Sequence, residues 1–149
     1  MKKVAGTLRL SLAQYREKQA FAQFGSDLDA VTRQQLARGA RLVELLKQAQ
    51  FKPVPVELQV VSITAANLGL LDDLEIEEVG DFEAKLHQNL RANSSALLDI
   101  ITTKGALSKE ENKELADAMK AFTKDYVSNK GSLTLVKSAE KSEQVATSA

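Results

Sequence analysis

The sequence predicts an all-α protein: a multi-helix bundle of about six helices, set by apolar periodicity, followed by a flexible C-terminal tail. Only two of its 149 residues are proline and seven are glycine, while Ala, Leu, Lys, Glu and Gln abound, and these are residues that a helix interior accepts readily. Apolar side chains recur three and four positions apart through most of the chain, the repeat of one helix face. The one run that alternates with period two, residues 54–60, has no second strand to pair with, and a lone strand is unstable. The length suits one domain with room for a tail, and a chain of this size buries about two-thirds of its unfolded surface.

The first helix is predicted over residues 2–21, where Val4, Leu8, Leu12 and Tyr15 share a face. Gly6 weakens its start by about 1 kcal/mol relative to Ala, and the cations there oppose the helix dipole. FGSDLD, residues 24–29, reads as a turn in which Gly25 permits a positive φ and Ser26 or Asp29 can cap the next helix. That helix runs over 30–47, with a stripe of Leu36, Ala40, Val43 and Leu46 widened by Leu42 and Leu45. Gly39 in its middle points to the close approach of another helix. Gln48 and Gln50 flank Ala49 in a polar exit that ends at two prolines.

Pro55 suits a helix start, and VSITAANL continues without a turn, so residues 56–68 are assigned to a helix ending near Gly69. LLDDLE then connects to a helix over 76–93 with Val79, Phe82, Leu86 and Leu90 on one side. Ser94 or Ser95 opens a short helix carrying Leu97, Leu98, Ile100 and Ile101. Ser108 to Glu111 has the Ser-x-x-Glu form of a capping box, opening a helix to about Val127 striped by Leu115, Met119, Phe122 and Tyr126. Beyond Asn129 and Gly131 the composition loses its bulk. Residues 1–129 are therefore expected to form the domain and 130–149 a flexible tail. Phe21, Phe24 and Tyr15 are expected in the core.

Lys plus Arg and Asp plus Glu are equal at 20 each, so no overall field draws nucleic acid or anionic membrane. The first twenty residues are basic and 72–83 acidic, a pattern that more often marks solvated helix faces than binding surfaces. Without cysteine there is no disulfide or thiolate chemistry. No apolar run approaches the roughly 18 residues of a membrane span. Neither a G-x-x-x-x-G-K-[ST] phosphate loop nor a dinucleotide loop is present. His87, the one histidine, has only Glu83 at ligand spacing, so a partly packed histidine is favoured over a metal ligand. Asp27 and Asp29 read as turn and cap residues in preference to an acid–base pair. Pattern alone leaves a helical bundle without an assigned task.

Beyond pattern, residues 1–55 resemble the start of the C-terminal domain of the F-type ATP synthase alpha subunit. VAGTL, LAQYRE, FAQFGSDLD, QLARGARL and LLKQ occur in that family's order. The resemblance is to alpha and not beta, which carries a DELSEED-like acidic loop where this chain has GSDLDAV. From Pro55 to about Tyr126 it continues more loosely through VELQVVSITAANLGLLDD and AFTKDY. Residues 130–149 match nothing in the family.

The resemblance implies a non-catalytic, structural and torque-transmitting part of a proton-translocating ATP synthase: a helical collar around the rotating central stalk. The GSDLD turn would face that stalk, making Ser26, Asp27 and Asp29 rotor-facing residues. Gln48 and Gln50 would border the adenine of the non-catalytic nucleotide site, which holds ATP or ADP with magnesium in the assembled alpha subunit. The implied partners are beta subunits, the gamma subunit of the stalk, and the remainder of the alpha subunit. The alpha P-loop and its catalytic-site arginine would lie upstream of Met1. No nucleotide is thus expected to be held by this chain alone, and the rest of the subunit is expected as a separate polypeptide packed against the first helix. A mitochondrial inner-membrane enzyme, matrix side, is the favoured setting, with a bacterial plasma membrane or thylakoid as alternatives. The alternative function is a free-standing helical adaptor descended from the same domain.

Overall fold

The computed structural model describes the backbone of residues 1–24 and 27–146, with side chains through residue 130 apart from Lys3. Among the described residues six α-helices follow in order: α1 (Lys2–Ala22), α2 (Ala30–Leu45), α3 (Val56–Asn67), α4 (Val79–Asn93), α5 (Ser95–Lys104) and α6 (Lys109–Ala146), with a 3-10 turn at Ile76–Glu78 before α4. No strand occurs among the described residues.

The centre of the bundle is α3, which packs against α1, α4, α5 and α6. Leu58, Val60, Val61, Ser62, Ile63, Ala65 and Ala66 are all buried. A helix covered on every side has no polar stripe to display its period, so the alternation at 54–60 is an accident of an apolar run. At its end Gly69 takes φ +76°, the left-handed conformation that glycine adopts without penalty. Gly69 N–H then donates to Ala66 O and Leu70 N–H to Ala65 O, each at 3.1 Å, closing the helix in a Schellman motif.

Two arginines of α2 finish that end. Arg38 Nη2 donates to the carbonyls of Ala66 at 3.2 Å and Asn67 at 3.1 Å, and Arg41 Nε to that of Leu74 at 2.5 Å. Arg38 satisfies acceptors that the end of α3 leaves open, and Arg41 holds the connector beyond it, which gives the QLARGARL segment a structural duty. Between them Gly39 is buried, with the Tyr15 ring of α1 lying on it, so the close approach expected there is present.

The buried face of α2 differs from the expected stripe. Gly39, Leu42 and Leu45 are buried, whereas Val43 and Leu46 are 40% and 42% exposed. Apolar residues on two sides of α2 permit either rotation by pattern, and the Tyr15–Gly39 contact selects the one that puts Leu42 inside. Phe21 and Phe24, expected in the core, are 73% and 91% exposed; they stand where α1 gives way to the turn, and no described element covers them.

Helix starts follow local chemistry. Thr32 N–H donates to Asp29 Oδ1 at 3.3 Å, capping α2. Ser108 and Glu111 form the expected capping box, Glu111 N–H to Ser108 Oγ at 3.2 Å and Ser108 N–H to Glu111 Oε2 at 2.7 Å. Val79, Phe82, Leu86 and Leu90 are the buried face of α4.

The last helix runs past the expected end at Val127. Phe122, Tyr126 and Lys130, four apart, each reach the start of α4: Phe122 and Tyr126 rings lie 5.6 and 5.3 Å from Phe82, Tyr126 OH donates to Asp81 Oδ2 at 2.7 Å, and Lys130 Nζ to Glu78 Oε2 at 2.6 Å. Burial, with the Asp81 carboxylate beside it, pushes the Tyr126 phenol up to about 12. The acidic run 72–83 thus supplies internal partners, Asp72 also standing 3.9 Å from Arg38.

Candidate functional site

The polar exit between α2 and α3 lies over a cavity. Pro53 and Pro55 hold the residues before them extended, so helix cannot resume until Val56. Upstream, Lys52 N–H donates to Ala49 O at 3.2 Å, closing a turn in which Phe51 takes φ +63°. A left-handed conformation is strained for any residue with a Cβ. Phe51 is also 91% exposed. Gln48 and Gln50 stand exposed on this turn.

Beneath it opens a cavity of about 260 Å³. Leu45, Leu46, Val54 and Ile63 give it apolar walls, while Gln48 and Lys52 line it from the turn. Gln59 Nε2 is held by the Val54 carbonyl at 2.6 Å. On the α3 and α4 side it reaches Ser62 and Glu83. Ser62 Oγ lies 2.5 Å from Glu83 Oε1 and 2.8 Å from His87 Nε2, while Glu83 Oε1 and His87 Nε2 stay 3.9 Å apart. Burial raises the Glu83 carboxyl above the ordinary range. Burial, then the Arg91 charge, lowers His87.

Serine, histidine and a carboxylate together invite comparison with an acyl-transfer triad, but the order differs. A triad needs the acid to orient the histidine and the histidine to take the serine proton. Here serine stands between the other two, and Ser62 is only 6% exposed within α3. The arrangement is a satisfied buried network that faces a cavity, not a nucleophile aimed at substrate.

The residues singled out from sequence fall at opposite ends of α2. Asp29 caps its N-terminus and Asp27 is exposed; Ser26 lies outside the described residues. Gln48 and Gln50 follow its C-terminus, about 24 Å away at 1.5 Å per residue over its 16 residues. The aspartates and glutamines are therefore not parts of one site. The Ser62–Glu83–His87 network is missed by sequence reasoning. Its traces are a hydroxyl inside an otherwise apolar run and a Glu–His pair four apart on one helix face.

A family model described as the C-terminal domain of the ATP synthase alpha/beta subunits matches residues 1–122. The protein belongs to this family. Its relatives are alpha subunits: "ATP synthase subunit alpha" of Paenarthrobacter aurescens is 52% identical over 126 residues, covering 85% of this sequence and 23% of the relative. That of Leptothrix cholodnii is 50% identical over 126 residues, covering 85% and 25%. That of Mycolicibacterium vanbaalenii is 48% identical over 140 residues, covering 94% and 26%. The 149 residues thus span about a quarter of the length of these alpha subunits. The relatives are bacterial, and a mitochondrial setting finds no support in them.

Within this ATP synthase domain the buried histidine makes a stability prediction. His87 is held neutral by burial, so its folded value lies below the ordinary 6.5. As pH falls through 6.5 the unfolded protein takes up a proton there before the folded protein does, and stability is lost. His87→Gln is expected to lose less stability than the parent between about pH 7 and 5, measured by urea unfolding. Equal losses would show that His87 titrates freely. Glu83 has the opposite sign: its raised value favours the folded state in acid, and that advantage is lost as pH climbs past the ordinary 4.5.

Proposed function

We propose that this protein is a non-catalytic, structural part of the alpha subunit of a proton-translocating F-type ATP synthase, the helical collar around the rotating central stalk. The observation that carries the reading is the family match over residues 1–122, with alpha subunits as relatives. The domain extends to residue 129, and the complex is associated with a bacterial plasma membrane. No helix among the described residues is long and apolar enough to cross a membrane. The neighbours are beta subunits, the gamma subunit and the remainder of the alpha subunit. Ser26, Asp27 and Asp29 face the stalk, and rotor position acts through this rigid collar on the opening and closing of beta subunits.

At the other end of α2, Gln48 and Gln50 border the adenine of ATP or ADP at the non-catalytic site. Two observations support this. Both amides are exposed, and Gln48 opens onto a cavity with apolar walls. The exit segment has no glycine-rich loop to cradle phosphate, so it fits the base end of the nucleotide. The phosphates and magnesium fall to the remainder of the subunit.

A Gln48→Ala, Gln50→Ala complex is expected to lose about tenfold or more in nucleotide affinity at the non-catalytic site, the worth of two amide hydrogen bonds, while catalysis persists. Unchanged nucleotide content per hexamer would refute the assignment. Assembly is tested separately: under mild detergent the protein should co-migrate with beta and gamma subunits, and migration without them would return it to the class of free-standing adaptors.

A further inference from the structure

A second cavity, of about 220 Å³, lies along the seam of α1 and α2 and shares no residue with the one beneath the exit turn. Gly39 and Leu42, both buried, form its floor beside the Tyr15 ring. Its walls are polar. Gln14 and Lys18, four apart, come from α1, and Gln35 and Arg38, three apart, from α2, spacings that put each pair on one helix face. Two cations thus share a groove in which no lining residue carries a carboxylate. Much of the donor capacity there is unused. Ser11 Oγ donates to the Thr7 carbonyl of its own helix. Arg38 uses both Nη2 hydrogens on the Ala66 and Asn67 carbonyls, and Asp72 comes no closer than 3.9 Å to its Nε. The Arg38 Nη1, the Lys18 ammonium and the Gln14 and Gln35 amides make no hydrogen bond among the described residues.

We propose that this groove binds a small tetrahedral oxyanion of the phosphate class, held between Lys18 and Arg38, with the Gln14 and Gln35 amides completing its hydrogen bonds. The chain as a whole is neutral, with 20 cationic and 20 anionic side chains, so the positive potential here is local. Low-dielectric walls around charges of one sign concentrate it. An anion relieves the repulsion between the two cations and forms charge-assisted hydrogen bonds with both, about twice as strong as neutral ones. Arg38 is already in place. Its tether to the end of α3 fixes the guanidinium before any ligand arrives, which lowers the ordering cost of binding.

Size and donor placement choose the ligand. The volume falls below the roughly 300–1,000 Å³ of pockets that enclose a drug-sized molecule, which admits an inorganic oxyanion and excludes a nucleotide. Donors stand on both helices. A tetrahedral anion presents oxygens to both walls at once, whereas the two oxygens of a planar carboxylate point one way. The groove also singles out one member of the basic run of α1. Lys2, Arg9 and Arg16 are exposed and do not line it, while Lys18 is half-buried and does. Because the anion touches α1 and α2 together, it clamps the two helices, and phosphate concentration sets how firmly they are held.

The test titrates inorganic phosphate into the full 149-residue protein, with ionic strength held at about 0.1 M by chloride, and follows backbone and glutamine side-chain amides by NMR. Saturable shifts are expected at Gln14, Gln35 and Gly39, with a dissociation constant of about 1 mM. Lys18→Gln should weaken binding at least about tenfold, the effect of losing one charge-assisted hydrogen bond. Arg16→Gln removes the same charge from an exposed position outside the groove and should leave the constant within about twofold. Arg38→Lys keeps the charge but loses the planar fork, and should weaken binding about threefold or more. If that variant does not fold, the contrast between Lys18→Gln and Arg16→Gln decides alone. Acetate should bind at least about tenfold more weakly than phosphate; equal affinities overturn the tetrahedral assignment. Shifts that stay linear in phosphate, or equal weakening by Lys18→Gln and Arg16→Gln, show diffuse attraction to a basic helix and overturn the site itself.

Discussion

Phe82→Ala is expected to lower the unfolding free energy by about 3–5 kcal/mol, the range for removing a buried aromatic ring. Phe82 is 1% exposed and lies in α4, which packs against α2, α3, α5 and α6. Neighbours on so many sides leave the resulting cavity little room to collapse. Two aromatic contacts go as well, to Phe122 and Tyr126, each adding about 0.5–1.5 kcal/mol beyond burial. Against a total stability of about 5–15 kcal/mol, half the margin can disappear. At about 2–4 °C per kcal/mol for a protein this size, the melting temperature should fall by roughly 6–20 °C. The same change loosens α6, because Tyr126 and Lys130 reach Asp81 and Glu78 across the same contact. A Phe82→Ala protein melting within about 2 °C of the parent would mean that α4 and α6 do not pack as described.

The parts of this fold that can be read from sequence are those whose cause is local. The Ser108–Glu111 box is closed by residues three apart, and Val79, Phe82, Leu86 and Leu90 repeat a helical period along one strip. For α3 the reading is harder, since burial on every side erases the stripe that would betray the period; Pro55 and the absence of a partner strand decide it. The rotation of α2 is not legible, because Val43 and Leu46 look as apolar as Leu42 and Leu45. Only the Tyr15 contact, 24 positions away from Gly39 in sequence, distinguishes them. Phe21 and Phe24 mislead for the same reason. An aromatic residue predicts burial only if something covers it, and coverage is a property of the assembly around the turn.

The site divides along the same line. Asp29 as a cap follows from its place before a helix, and Gln48 and Gln50 enter through family resemblance, not through any pattern of their own. The Ser62–Glu83–His87 network stays hidden because its members lie on two helices, 21 and 25 positions apart. Arg38 and Arg41 look like solvated cations in sequence, yet their acceptors lie 28 to 33 residues on. Long-range hydrogen bonds of this kind have no periodicity to announce them.

Gly39→Ala should destabilise the protein by about 1–3 kcal/mol, the opposite sign to its local effect. In a helix interior Ala is better than Gly by about 1 kcal/mol, so a site with open space would gain. At Gly39 the added Cβ would stand 2.7 Å from Tyr15 Cβ and nearer still to the ring. The Tyr15 Cβ and the ring stem fixed to it cannot yield as a flexible side-chain tip could, so α1 must lift from α2. Lifting it strains neighbours on both sides. Leu8 loses cover, Asn67 Nδ2 draws away from the Val4 carbonyl at 3.2 Å, and Arg38 must hold the end of α3 from a displaced helix. The pair Gly39→Ala, Tyr15→Ala separates steric from other causes. Removing the ring should restore at least about 1 kcal/mol to the Gly39→Ala protein, a coupling expected only of residues in contact. A Gly39→Ala protein more stable than the parent would place α1 and α2 further apart than they are described.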